Sequence, residues 1–381
     1  MQTSEVIAIF SVATTVFLFI HTSMLTTRLR EIEDAVVKSG AHTDTGFEAS
    51  SDQGETAIAG EHSPQRRSIQ AYDMFVDSKL TAEELNNTRK ATYELLFFNR
   101  VPKVGSQSTM HLLNILSRKN DFHFHKDKPN KVEAIKLSEK EERRLAAMIQ
   151  NFKTPAVYVK HVCYVNFTKF GYQQPIYINL VRDPVERVIS WYYYIRAPWY
   201  FVERKMNFPD LPLPQPRWLR KDYETCVLSS DPECTYLQGE RTNLRDHRRQ
   251  TLFFCGHEDD CLGFNQEFPL QQAKYNVEKY YAVVGVLEDM NKTLSVLEAY
   301  IPRFFTGIRD VYWNEVQQFV KINKNIYKPS VEKKVKEIVR QNFTREMEFY
   351  HFARQRLHQI RKKRVDFQSQ KRCQMENLSL L

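Results

Sequence analysis

From about position 94 the chain alternates short apolar runs with amphipathic stretches. The run 95–101 (LLFFNRV) is short and apolar, which predicts a buried strand. Met110, Leu112, Leu113 and Leu116 then recur at helical spacing and predict a helix over 106–118. Further strands are expected at 122–125, 156–162, 176–181 and 281–287. Ser138 with Glu141 makes a capping box that opens a helix to about 152. Asp183 suits the N-cap and Pro184 the first turn of a helix reaching about 195. One long helix with a basic end is expected over 331–361, and no internal repeat is present. Strands that alternate with helices predict an α/β fold whose parallel sheet is covered on both faces.

The first part of the chain follows another rule. Residues 6–27 carry no charge, and a helix of that length reaches roughly 30 Å, the thickness of a bilayer core. The reading is a retained signal-anchor. The alternative is a cleaved signal peptide, which usually has a basic start and a small-residue cleavage site; MQTSE has no Lys or Arg. Arg28 and Arg30 would favour a cytosolic chain beyond the span. Asn86, Asn166, Asn291, Asn342 and Asn377 each open an N-x-Ser/Thr sequon and argue for a lumen. Modification is expected at Asn86, Asn291 and Asn342, and not at Asn166, which lies five residues past His161. The organisation expected is a tail at 1–5, the span at 6–27, a stalk at 28–90, a folded domain at 91–362 and a polar tail at 363–381.

Of the six cysteines, Cys226/Cys234 and Cys255/Cys261 are local pairs that would each close a short loop if oxidised. No paired CxxC or CxxC-with-histidine spacing appears, so a zinc site is not expected. Cys163 and Cys373 would stay free or pair between chains, with a buried core thiol as the bland reading of Cys163. Over 381 residues, 42% hydrophobic content excludes wholesale disorder. Lys+Arg of 55 against Asp+Glu of 46 gives a net charge of +9, which favours an anionic partner without naming it.

Candidate chemistry sits at strand-to-helix junctions. Pro102, Lys103, Val104, Gly105, Ser106, Gln107 and Ser108 join the first strand to its helix. A glycine turn, a helix N-terminus and a lysine make a phosphate cradle in logic, though not a G-x-x-x-x-G-K-[ST] loop. Arg182 ends a second strand, where open α/β sheets bind ligands, and Ser190 lies two turns into the following helix. Arg182 could equally pair with Glu186, and Arg187 is read as solvated or salt-bridged. His161 follows the strand at 156–160 as a candidate general base, with a structural histidine as the competing reading. His123, His125, His247 and His257 are weaker candidates. Trp191, Tyr192, Tyr193, Tyr194, Trp199 and Tyr200 are core by default, and exposed members could stack on a sugar or purine.

Three segments in order, FNRVPKVGSQS, YVKHVCYVNFTKFG and QPIYINLVRDPVERVISWYYY, resemble the uronic-acid 2-O-sulfotransferases. FFCGH, QAKYNVE, YAVVGVLE and PRFFTG extend the resemblance, while RAPWYFVERK and INKNIYKP are most similar to the arthropod Pipe-type branch. The resemblance implies a P-loop-like three-layer domain behind one N-terminal transmembrane helix, in a type II Golgi membrane enzyme. It implies 3′-phosphoadenosine 5′-phosphosulfate (PAPS) as donor and no metal. Lys103 and the backbone from Val104 to Ser108 would hold the 5′-phosphosulfate, and Arg182 and Ser190 the 3′-phosphate. His161 would take the acceptor proton, and Lys103 would stabilise the departing phosphate. Arg100 would contact the acidic acceptor, and Lys321 and Asn323 would belong to a loop over the donor. The family's two short disulfides match Cys226/Cys234 and Cys255/Cys261, and a homotrimer is implied.

Two departures fall on the acceptor side: Val159 replaces a second active-site histidine, and His111 replaces an asparagine. They count against heparan as the acceptor and leave the donor side intact. Pipe-type members are associated with sulfation of secreted egg-coat glycoproteins. The expected function is a Golgi sulfotransferase acting on a glycan hydroxyl, the 2-O position of a uronic acid. The alternative is a non-catalytic receptor for acidic glycans. A kinase would need carboxylates for Mg²⁺, and Asp183 has no convincing second partner. A nucleic-acid binder fits the charge but not the span and the sequons.

Overall fold

A computed structural model of the chain describes residues 84–129, 134–241, 248–317 and 328–378, with side chains at all of these but 93 and 363–378. The span at 6–27, His247, Lys321, Asn323 and the Cys373 side chain fall outside that description. Among the described residues no helix is long and apolar enough to cross a membrane.

Five strands, β1 (Thr92–Phe98), β2 (His123–Lys126), β3 (Ala156–Val159), β4 (Pro175–Val181) and β5 (Tyr281–Val286), form one sheet in the order β2-β3-β1-β4-β5. Every neighbouring pair is parallel. β3, β4 and β5 are buried at every residue, as a sheet covered on both faces requires. Phe97, Phe98, Tyr177 and Phe253 are wholly enclosed in the core; each side chain of that size contributes about 1.5–3 kcal/mol by leaving water.

The helices that matter for the site are α1 (Ser106–Lys119), α2 (Glu139–Gln150), α3 (Pro184–Tyr194), α4 (Pro198–Asn207), α5 (Thr251–Cys255), α6 (Lys333–Gln341) and α7 (Thr344–Leu378). The capping box forms as expected: Ser138 N–H donates to Glu141 Oε2 at 2.8 Å. Asp183 caps α3, accepting from Val185 N at 2.9 Å and Glu186 N at 3.1 Å.

Several boundaries differ from expectation. β1 and β3 stop at Phe98 and Val159 rather than at 101 and 162. Buried side-chain amides take over there: Asn179 Oδ1 accepts from Val101 N at 3.3 Å, and Asn99 Nδ2 donates to the carbonyls of Val162 at 3.3 Å and Phe253 at 3.1 Å. The single helix expected over 331–361 is two, α6 and α7, broken at Asn342 and Phe343. The break is stabilised from a distance: Asn265 Oδ1 accepts from Arg345 N at 2.6 Å and Asn265 Nδ2 donates to Thr344 Oγ1 at 3.1 Å, supplying the cap for the new N-terminus. α7 then runs on to Leu378, through most of the stretch read as a tail. At the other end Leu85, Asn87 and Thr88 are buried, and Asn87 Nδ2 donates to the Tyr281 carbonyl at 3.1 Å. Packing therefore begins ahead of position 91.

Candidate active site

The site gathers at the C-terminal edge of β1, β3 and β4. The register of β1 with β3 pairs Phe98 with Val159, so two residues on Arg100 faces His161. His161 Nδ1 lies 2.8 Å from the Arg100 carbonyl oxygen. A carbonyl only accepts, so Nδ1 carries the proton and Nε2 keeps its lone pair. Burial, and then the Arg100 charge, hold this imidazole well below its ordinary pKa, so it is neutral at physiological pH. A neutral imidazole with a fixed tautomer follows from strand register.

Arg100 in turn reaches α1, where its Nη1 donates to Gln107 Oε1 at 3.0 Å. His111 is half-buried one helical turn beyond Gln107, on the same face. Val159, by contrast, is only 1% exposed inside β3. It belongs to the core and adds nothing polar to this edge.

The loop after β1 bends through two left-handed residues, Lys103 at φ 65° and Gly105 at φ 82°. A non-glycine residue in that region costs roughly 1–2 kcal/mol, so Lys103 is held there by its surroundings. Gly105 cannot be replaced cheaply, because its φ strains any side chain, and a Cβ would also displace Leu287 Cδ1, 2.7 Å away. The first turn of α1 presents the N–H groups of Ser106, Gln107 and Ser108, which have no intrahelical acceptor, as an anion cradle.

Lys103 Nζ sits 3.7 Å from the centroid of the Tyr194 ring. Burial, with Arg182 and Lys328 nearby, pulls its pKa down to about 7. Arg182 Nη1 donates to the Lys103 carbonyl at 3.2 Å, and its guanidinium lies 3.7 Å from Glu186 and 4.0 Å from Glu288. Of the two alternatives for Arg182, the pairing with Glu186 is seen, and the guanidinium also stands beside the loop. Ser190 is half-buried on α3, one turn before Tyr194 and on the same face. A cluster of cations with a backbone cradle fits an anionic ligand, which would offset the burial and the neighbouring charges that lower Lys103.

Several participants escaped sequence reading. Lys328 donates to Glu186 Oε2 at 3.3 Å and acts electrostatically on both Lys103 and Arg182. Arg187, read as solvated or salt-bridged, has 0% exposure and donates through Nη1 to the Pro102 carbonyl at 3.3 Å. Buried Glu346 feels the Arg187 charge, and full burial of Arg187 excludes the solvated reading. Asp183 is used as a cap and faces Arg340 at 3.5 Å, so it is not laid out as a Mg²⁺ carboxylate.

The remaining candidates have structural places. His125 stacks on Phe152 at 4.1 Å, and buried His257 accepts from Leu137 N at 2.9 Å. Disulfides join Cys226 to Cys234 and Cys255 to Cys261, and Cys163 is a buried free thiol. Cys226, with Asp231 and Glu233, completes a cluster of metal-ligand types, but its sulfur is already in the disulfide. Asn291 and Asn342 are exposed and Asn86 is half-buried. Tyr192 and Tyr193 are buried, whereas Trp199 is 41% exposed and α4 buries none of its residues.

The profile of the sulfotransferase family matches residues 87–353. The chain is 45% identical over 281 residues to the uronyl 2-sulfotransferase homolog pip of Drosophila melanogaster, covering 73% of this chain and 55% of that protein. It is 32% identical to uronyl 2-sulfotransferase of Mus musculus, over 70% of this chain and 63% of the relative. With heparan sulfate 2-O-sulfotransferase 1 of Xenopus laevis it shares 32% identity over 71% of this chain and 73% of the relative. The matched part thus spans 55% and 63% of the first two curated relatives.

Proposed function

The chain belongs to the sulfotransferase family, and from that premise we propose that it moves a sulfuryl group from PAPS to a glycan hydroxyl, the 2-O position of a uronic acid. The observation that carries this reading is His161, neutral, fixed in its tautomer by the Arg100 carbonyl and set at the edge of the anion loop.

PAPS, when bound, supplies an activated sulfuryl group. Lys103 and the N–H groups from Val104 to Ser108 hold its 5′ end, and Arg182 with Ser190 its 3′-phosphate. The buried cations and the positive-φ glycine fit such a ligand. His161 Nε2 accepts the proton of the acceptor hydroxyl. Lys103 neutralises charge on the departing phosphate oxygen. Arg100 orients His161 through its carbonyl while its guanidinium faces an acidic acceptor. No covalent intermediate is needed, because the hydroxyl attacks sulfur directly. In this reading His111 serves the acceptor, Lys321 and Asn323 serve the donor as the family resemblance implies, and no metal takes part.

The catalytic domain is placed by this reading in the Golgi lumen, behind a type II span at 6–27. The two disulfides support an oxidising compartment. Glycans on Asn86, Asn291 and Asn342, and assembly as a homotrimer, follow from the sequons and the family resemblance. The acceptor is an acidic glycosaminoglycan or the glycan of a secreted glycoprotein. The test is incubation of the chain with sulfur-labelled PAPS and desulfated heparan, chondroitin, dermatan and a secreted-glycoprotein extract. Label in a uronic acid at O2 supports the proposal. Donor binding with no label in any acceptor points instead to a glycan receptor.

A further inference from the structure

Beneath the donor loop runs a buried polar chain with no part in the chemistry above. Gln250 has 0% exposure, and its side-chain amide faces the backbone of Arg182 twice. Arg182 N donates to Gln250 Oε1 at 3.0 Å, and Gln250 Nε2 donates to the Arg182 carbonyl at 2.7 Å. An amide that bonds both the N–H and the C=O of one residue acts as a one-residue strand partner. It fixes the backbone there, and so fixes the direction in which the guanidinium leaves the sheet.

Gln250 is itself anchored from the far end of the chain. Its backbone N–H donates to Glu346 Oε2 at 2.7 Å, and Thr251 donates to the same carboxylate through its N–H at 3.3 Å and through its hydroxyl. Glu346 lies on α7 with 0% exposure, and Arg187, which reaches the Pro102 carbonyl, is the nearby cation. One buried carboxylate therefore braces the start of α5, and through Gln250 it braces the strand end that carries Arg182.

We propose that Gln250, anchored by Glu346, is a positioning residue for Arg182, and that this clamp sets the preference for a nucleotide bearing a 3′-phosphate over one lacking it. The inference rests on the donor reading above. A residue that only stabilised the fold would weaken both kinds of nucleotide alike.

The test uses the full chain and titration calorimetry with adenosine 3′,5′-bisphosphate and adenosine 5′-monophosphate. Gln250→Met keeps the side-chain length and removes both bonds. The expected result is a fall of about tenfold in the ratio of the two affinities, the size of effect set by loss of a charge-assisted contact, with monophosphate affinity unchanged within about twofold. Gln250→Glu keeps the acceptor for Arg182 N and is expected to lower the ratio by about threefold, roughly half the effect on a free-energy scale. If Gln250→Met does not fold, Gln250→Glu carries the test alone. A ratio equal to wild type, or equal weakening of both nucleotides, overturns the clamp. Wild-type protein that binds neither nucleotide overturns the donor reading and the clamp with it, whereas wild type that discriminates and a variant that discriminates to the same degree overturn the clamp alone.

Discussion

The two sides of the site are built differently. On the side proposed for the donor, the loop and the strand end are held by the backbone or by buried groups. Gly105 is left-handed and hemmed in by Leu287, Arg187 holds the Pro102 carbonyl, and Gln250 holds Arg182. On the side proposed to face the acceptor the groups are less enclosed: Arg100 and His111 are both half-buried. Changing a residue on the first side strains the fold, while changing one on the second alters only what it touches. The difference bears on His111, a half-buried residue on a helix face, and not on Val159, which lies inside the core.

The comparison can be broken most forcefully at Lys103. Lys103→Ala is expected to lower kcat by about 10²–10³, the range for losing one stabiliser of developing negative charge, and to weaken donor binding as well. Steady-state kinetics with calorimetry check both. Gly105→Ala comes next: it adds a left-handed strain and a contact at 2.7 Å, and is expected to cost about 1–3 kcal/mol in thermal unfolding while weakening the donor.

The pH dependence is gentler and has a definite sign. Lys103 in the donor-free protein titrates at about 7, below its ordinary value. Above that pH it is neutral, and an anionic donor must restore the proton to gain its charge. Donor affinity should therefore fall as pH rises from 7 to 9, by at most about tenfold per unit. Calorimetry in buffers of different ionisation heat should detect proton uptake on binding. The smallest effect is expected from His111→Asn: a shift of about two- to fivefold in preference among acceptors, an exposed-contact effect, with donor affinity unchanged.

The sequence was most informative where chemistry sits at an element boundary. The β1–α1 loop, the end of β4 and the edge after β3 can all be read as strand ends, and a parallel sheet brings strand ends together. It was silent on Gln250, Glu346 and Lys328, which reach the same place from positions 68 to 164 residues beyond Arg182. No local spacing reports such a distance. Arg187 shows the same limit: a helix-face arginine looks solvated until the loop carbonyl above it is known. The break at Asn342 was hidden because the apolar pattern continues across it, and its cap, Asn265, lies far away in the chain. Buried amides, above all Asn99 and Asn179, decide where strands stop, and a polar residue inside an apolar run gives no hint of that on its own.

The central claim is that His161 is the base in a direct transfer, set beside an independent donor site. The measurement is labelled sulfuryl transfer by His161→Ala, run in parallel with calorimetric donor binding. Loss of transfer by about 10²–10⁴, the contribution of a positioned general base, with donor affinity unchanged within about twofold, is the predicted result. Transfer at the wild-type rate, or loss of donor binding in step with activity, would contradict it.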